Sequence, residues 1–265
     1  MEQASPSQSY DPAYFDLLFQ VEESHFWFRA RNSVIAMLSE RLTVDLPASY
    51  RMLEIGCGTG NVLRRLERVC TGGVVVGVDL FLEGLRYAHR RTSAPLVQAD
   101  MQALPFGVPF DLVGLFDVLE HMPDDCQVLR VLNDMSAEGG RLLLTVPAHP
   151  YLWSYFDEAS CHCRRYRREE LFRKLRETGY QVEQITYFMA TIFPLVWIGR
   201  RLNALLPKPS RNGTVSTEGL AVKELRIVPV INELLTLLLA LETLWLKRWQ
   251  TLPCGTSLLA VARKA

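Results

Sequence analysis

The apolar positions of the chain fall into short runs separated by helical stripes. Met52, Leu53 and Ile55 make a brief strand pattern, and Val62, Leu63, Leu66 and Val69 follow at helical spacing among arginines and Glu67. Val74-Val75-Val76-Gly77-Val78 is a continuous apolar run, the pattern of a parallel strand covered on both faces. A helix over 82–92, a short strand from Pro95 to Ala99 and a buried strand from Phe110 to Phe116 come next. Asp124 and Asp125 cap a helix that carries Val128, Leu129 and Leu132. Gly139-Gly140 then turn the chain into a strand over 141–146. A helix from Arg167 to Gly179, with Leu171, Phe172 and Leu175 inward, leads to a strand from Gln181 to Phe188. The last strand candidate runs from Thr256 to Arg263. Alternating short apolar strands and amphipathic helices predict an α/β fold, a doubly wound sheet with helices on both faces.

Two regions stand outside this alternation. At the front, a loose tail over 1–10 precedes a short helix from Asp11 to Val21, with Pro12 in its first turn. His25-Phe26-Trp27-Phe28-Arg29-Ala30-Arg31-Asn32 then opens a helix with Val34, Ile35, Leu38 and Leu42 on one face. Three adjacent aromatics do not suit an exposed helix; they either pack it on the core or cover a site. Near the end lies an insertion over 189–254 with two apolar parts, Phe188 to Leu206 and Pro229 to Trp249, joined by a linker from Lys208 to Gly219 that is expected to be mobile. Pro194, Glu233 and Glu242 interrupt the apolar parts, so neither is expected to cross a membrane. Helices that cover a hydrophobic substrate or lie on a membrane surface fit their Trp and basic ends, against a homodimer interface or extra core. One domain over 1–265 is expected, with 11–45 an N-terminal helical lid.

Composition narrows the class. About half of the 265 residues, 49%, are apolar, enough for a packed core, and the formal net charge is zero. No general electrostatic attraction to nucleic acid is expected. The six cysteines form no C-x-x-C pair, which fits a reducing, cytoplasmic compartment. Cys161-His162-Cys163 lacks a second ligand pair, so no metal is expected there. The polar start carries no secretory pattern.

The candidate chemistry gathers at strand ends. Glu54-Ile55-Gly56-Cys57-Gly58-Thr59-Gly60 joins a strand to a helix through glycines spaced two apart, a turn that brings backbone N–H groups to a ligand. A dinucleotide turn has glycine at its sixth position; here it is Asn61. Glu54 beside the turn opposes a pyrophosphate and suits a cation. The stretch L-E-I-G-C-G-T-G resembles the first motif of class I S-adenosylmethionine-dependent methyltransferases. H-F-W-F-R-A-R-N and a later L-W-S…D…H-x-R-R-Y resemble a bacterial branch of that family. The chain departs from that branch at Cys161, where glycine is common, so a different turn is expected there.

The resemblance implies a mostly parallel seven-stranded Rossmann-like sheet with an antiparallel last strand. It implies S-adenosylmethionine as cofactor and S-adenosylhomocysteine as product. Glu54, Gly56, Cys57, Gly58 and Gly60 would hold the methionine part. Asp79 and Leu80 would lie at the ribose, Asp100 and Met101 at the adenine, and Asp117 of D-V-L-E-H beside the methyl donor. Trp27, Phe28, Arg29, Arg31, Trp153, Arg165 and Tyr166 would face substrate or form the lid. His121, His162 and His149 are candidate bases, with Asp157 orienting His162. The expected reaction is methyl transfer to a small lipophilic acceptor, isoprenoid, lipid-linked or natural-product-like. Two readings compete with it. One is a cofactor-binding partner subunit without catalysis; the other is a nicotinamide-dependent oxidoreductase. Peripheral membrane association through 189–254 is a further expectation.

Overall fold

The structure, a computed structural model, describes residues 14–205 and 225–265. Strands β1 (Arg51–Ile55), β2 (Val74–Asp79), β3 (Leu96–Gln98), β4 (Phe110–Phe116) and β5 (Ser136–Pro147) run parallel. β7 (Ser257–Lys264) enters between β5 and β6 (Tyr180–Phe188), antiparallel to both. The order across the sheet is β3-β2-β1-β4-β5-β7-β6. The order reverses between β1 and β4, and ligands of such sheets bind there, outside the carboxyl ends of the strands.

Helices cover both faces. On one, α2 (Phe26–Thr43) packs Val34, Ile35 and Leu38 with Leu63 and Leu66 of α3 (Leu63–Val69) and with Leu239 and Leu246 of α9 (Pro229–Trp249). On the other, α5 (Asp125–Met135) and α7 (Arg168–Glu177) bury Val128, Leu129, Leu132, Leu171 and Leu175. The remaining helices are α1 (Tyr14–Val21), α4 (Leu82–Ala88), α6 (Tyr155–Ala159) and α8 (Phe193–Leu205). Residues 1–13 and the predicted linker over 208–219 lie outside the described residues.

Several expectations change. β5 begins at Ser136, because Gly139 (φ 71°) lies within the strand, where the pairing with β4 shifts register between Phe110 and Leu112; the glycines make an irregularity in the ladder rather than a turn before it. α4 stops at Ala88 instead of 92; beyond it the Arg90 and Arg91 N–H groups turn back by three residues, to Tyr87 and Ala88, and a tighter turn ends the helix. Phe172 is exposed rather than inward and lies under the Arg176 guanidinium. α6 was not anticipated, although Ser154-x-x-Asp157 carries its capping box.

The insertion also differs. α9 spans 21 residues and is long and apolar enough to cross a membrane by length and composition, with only 17% of its apolar window buried. Glu242 does not break the outward face. It is buried and accepts hydrogen bonds from the Thr191 N–H and hydroxyl, both at 2.9 Å. Leu234, Leu237, Leu241, Leu244, Trp245 and Trp249 are exposed along the helix.

Candidate active site

The glycine turn leaves β1 with Gly56, Gly58 and Gly60 all at positive φ, 71°, 50° and 75°. A Cβ on Gly60 would come 2.9 Å from the Ala88 backbone, and one on Gly56 would come 2.5 Å from Val118. Only glycine fits both the conformation and the space. The end of β2 fastens the turn: one Asp79 oxygen accepts from the Gly58 N–H at 2.7 Å and the other from the Phe81 N–H at 2.9 Å. Burial raises the Asp79 carboxyl, and these backbone donors oppose the rise. Burial also pushes the Cys57 thiol well up, which makes it an inert wall of the turn.

Glu54 is buried, and its Oε2 has no hydrogen-bond partner among the described residues. Burial pushes its carboxyl well above the usual range; the Arg31 charge pulls it back and Asp79 adds to the rise. An orphaned carboxylate at the turn is what a cationic ligand would complete. At the β3 edge, Asp100 is exposed and accepts from the Gln102 N–H at 2.9 Å, while Met101 packs partly against the core. Leu80 is exposed beside Asp79. Asp117 ends β4 at φ 54° and pairs with Arg31 at 2.8 Å.

The lid residues divide. The Arg31 guanidinium lies over Trp27 at 4.9 Å and Phe28 at 5.5 Å while it reaches Asp117, so this segment meets the strand edge. Arg29 instead pairs with Glu233 of α9 at 3.0 Å. Asn232 accepts from the Phe26 N–H and donates to the Ser24 carbonyl, which ties the insertion to the start of α2. A second fastening has no signature in the sequence. Glu22, after α1, accepts from Arg91 at 2.6 Å and from the Thr59 hydroxyl of the glycine turn, and Arg91 donates to the Phe19 carbonyl at 2.6 Å. These partners lie 37 and 69 residues from Glu22, and no local pattern marks them.

The histidines also divide. His121 and His162 meet edge to face at 4.8 Å. His149 (φ 60°) stands among Tyr151, Tyr187 and Phe193, stacked on Tyr187 at 4.9 Å, and burial lowers its pKa. It forms a wall toward α8. Burial, then the His162 charge, brings His121 down to about 3, so it is a poor base at neutral pH. Asp157 is buried, with His162 Nδ1 at 3.0 Å and Arg165 Nε at 2.6 Å. Burial raises its carboxyl, but His162 and Arg165 outweigh this and hold it below the usual range. Arg165 thereby serves the loop rather than facing open space. Tyr166 is not on a substrate surface: it is fully buried and donates to Asp125 at 2.8 Å, beside Lys174. Trp153 is exposed. Glu120, unremarked in the sequence, is 1% exposed, and neither carboxylate oxygen has a hydrogen-bond partner among the described residues.

Cys161 has φ 56°, so the turn keeps the left-handed conformation that glycine favours, with a side chain in place of glycine. That conformation costs an L residue ~1–2 kcal/mol, and glycine returns part of this as entropy of the unfolded chain. Cys161→Gly is expected to raise unfolding stability by about 0.5–1 kcal/mol in urea titration.

A doubly wound sheet with a glycine turn after β1 and acids at the ends of β1, β2 and β4 defines a Rossmann-like cofactor-binding protein. Glu54 favours a ligand that carries positive charge. A family model described as "Methyltransferase domain" matches residues 26–185, and the chain belongs to that family. It is a methyltransferase by family, and the family implies S-adenosylmethionine as its cofactor. The chain is 33% identical over 122 residues to a malonyl-[acyl-carrier protein] O-methyltransferase of Legionella pneumophila, covering 44% of this chain and 43% of that one. It is 26% identical over 160 residues to a ubiquinone biosynthesis O-methyltransferase of Xanthomonas axonopodis, covering 53% and 66%. The matches thus span less than two thirds of either relative. In fold it is similar to an S-adenosylmethionine-dependent methyltransferase from Mesorhizobium loti, with a TM-score of 0.53, 17% identity and coverage of 85% and 96%.

Proposed function

We propose that the chain transfers the methyl group of S-adenosylmethionine to an oxygen of a small, lipophilic acceptor, and that it works at a membrane surface. The observation that carries this reading is the placement of the apolar insertion. α8 meets the ligand edge through Phe193 against His149, and α9 is bonded to the start of the lid through Asn232. The exposed Leu and Trp side chains of both helices supply a surface for an apolar chain. The relatives named as O-methyltransferases support oxygen as the acceptor atom.

Glu54 and the turn from Gly56 to Gly60 would hold the methionine part. The free lone pairs of Asp79 would take the ribose hydroxyls, and Asp100 and Met101 the adenine. When bound, the cofactor supplies a methyl already activated on a sulfonium. The chain's own contribution is alignment and exclusion of water. Trp27, Phe28 and Arg31 close the edge above Asp117. The acceptor oxygen would lie by Glu120, His121 and His162. His121 is too weak a base to take its proton at neutral pH.

Calorimetry is expected to show S-adenosylhomocysteine binding in the low-micromolar range, roughly −8 kcal/mol, and no binding of NADH. Methyl transfer to a series of hydroxylated acceptors with lengthening alkyl chains tests the rest. Each buried CH2 is worth ~0.8 kcal/mol, so KM is expected to fall about fourfold per CH2. A KM independent of chain length would overturn the lipophilic assignment, and absence of any transfer would return the chain to the non-catalytic reading.

A further inference from the structure

We propose that Glu120, His121 and His162 form a binding site for one divalent transition-metal ion beside the methyl-donor edge. Each offers one ligand atom, and the three atoms lie within 4.8 Å of one another. Two independent features point inward to this place. The first is Glu120, buried to 1% exposure with both carboxylate oxygens lacking a hydrogen-bond partner among the described residues. A buried carboxylate without a donor is costly unless a proton or a cation completes it. The second is the orientation of His162. Asp157, itself fully buried and held by Arg165 and the start of α6, lies 3.0 Å from His162 Nδ1. A carboxylate can only accept, so Nδ1 carries a proton, and in the neutral ring Nε2 keeps its lone pair, 4.0 Å from Glu120 Oε1. A carboxylate that fixes the tautomer of a histidine is the usual outer support of a metal ligand.

Two imidazoles and one carboxylate suit zinc, cobalt, iron, manganese or nickel better than calcium or magnesium. Bonds of ~2.0–2.2 Å place tetrahedral ligand atoms ~3.3–3.6 Å apart, so the donors close by about an ångström on binding. Three protein ligands leave a position open. Glu120 and His121 follow Asp117 directly after β4, so that position lies at the ligand edge. This role rests on the proposed O-methyl transfer: an acceptor hydroxyl bound there would be acidified by the metal and would release its proton to solvent water, and its oxygen would form the O–C bond as the sulfonium C–S bond breaks and neutral S-adenosylhomocysteine leaves. Cys161 and Cys163, flanking His162, are exposed and are not part of the set.

The test uses the full chain after chelation, titrated with Co2+ by visible absorbance and with Zn2+ by calorimetry. One equivalent of metal is expected. His162→Ala and Glu120→Gln are each expected to weaken binding at least tenfold, and Asp157→Asn about tenfold to a hundredfold. The double variant Cys161→Ser/Cys163→Ser is expected to bind as the parent does. Absence of binding at 100-fold excess metal, equal affinity in His162→Ala, or loss of binding in the double cysteine variant would each overturn the site. S-adenosylhomocysteine titration of every protein reports separately on folding and on the cofactor reading, so failure of the metal site leaves that reading standing.

Discussion

Glu54→Gln is expected to stabilise the cofactor-free protein and at the same time weaken S-adenosylhomocysteine binding by about thirtyfold, ~2 kcal/mol. Both effects come from one oxygen. Glu54 is buried at the end of β1, and its Oε2 finds no donor among the described residues. Burial pushes its carboxyl well above the usual carboxylate range, so folding disfavours its charge. The sign follows. Well below the unfolded value of about 4.3 the carboxyl is neutral in both states, and the pH-dependent difference between the two proteins vanishes. As pH rises from there toward the raised folded value, the parent loses stability that glutamine cannot lose. Melting curves across that window, with and without S-adenosylhomocysteine, would show a gain in the variant that grows with pH, and a smaller ligand-induced shift. Greater stability with unchanged ligand affinity would mean that Glu54 does not touch the cofactor.

The second large effect is expected at Arg91. Its side chain is 3% exposed and pairs with Glu22, which is 8% exposed. Arg91→Ala would leave Glu22 buried beside the glycine turn with the Thr59 hydroxyl but without its counter-charge. Breaking a buried pair from one side costs ~3–5 kcal/mol, and urea unfolding should show a loss of that size. Glu22→Gln/Arg91→Ala should cost less than the sum of the two single changes, because no charge is then stranded. Cofactor affinity should fall as well, since the pair fastens α1 to Thr59. A loss below ~1 kcal/mol for Arg91→Ala would mean that water reaches Glu22 and that the pair does not hold α1.

Much of this site could be read from residues because the sheet puts chemistry where strands end. Glu54, Asp79 and Asp117 each close an apolar run, and the structure places each at the same edge. The family resemblance pairs Asp157 with His162, and the His162 ring does meet the Asp157 carboxylate. What could not be read depends on the third dimension. Glu22, Thr59 and Arg91 are ordinary polar residues until folding removes water from around them. Glu120 sits within a recognisable D-V-L-E-H, yet nothing in that string says that both of its oxygens end without a donor. Tyr166 illustrates the opposite error. An aromatic in an Arg-rich loop reads as a contact surface, whereas here its hydroxyl reaches Asp125 from inside the core. Glu242 misled in a similar way: a charge in an apolar stretch looks like an interruption unless it turns inward, as here to the Thr191 N–H and hydroxyl.

The place of β7 sets a timetable for the chain on the ribosome. β5 and β6 do not pair with each other; each pairs with β7, which lies between them. After Phe188 leaves the ribosome, residues 189–256 must still be made before Ser257–Lys264 can close the gap. At ~5–20 residues per second, two apolar strands keep open edges for several seconds. Open edges of that kind recruit other strands. The apolar helices of the insertion emerge during the same interval, so the nascent chain is most exposed to misassociation just before its last strand arrives. Holdase chaperones that bind extended apolar segments should therefore have their greatest effect on yield in this window, and little once β7 is in place.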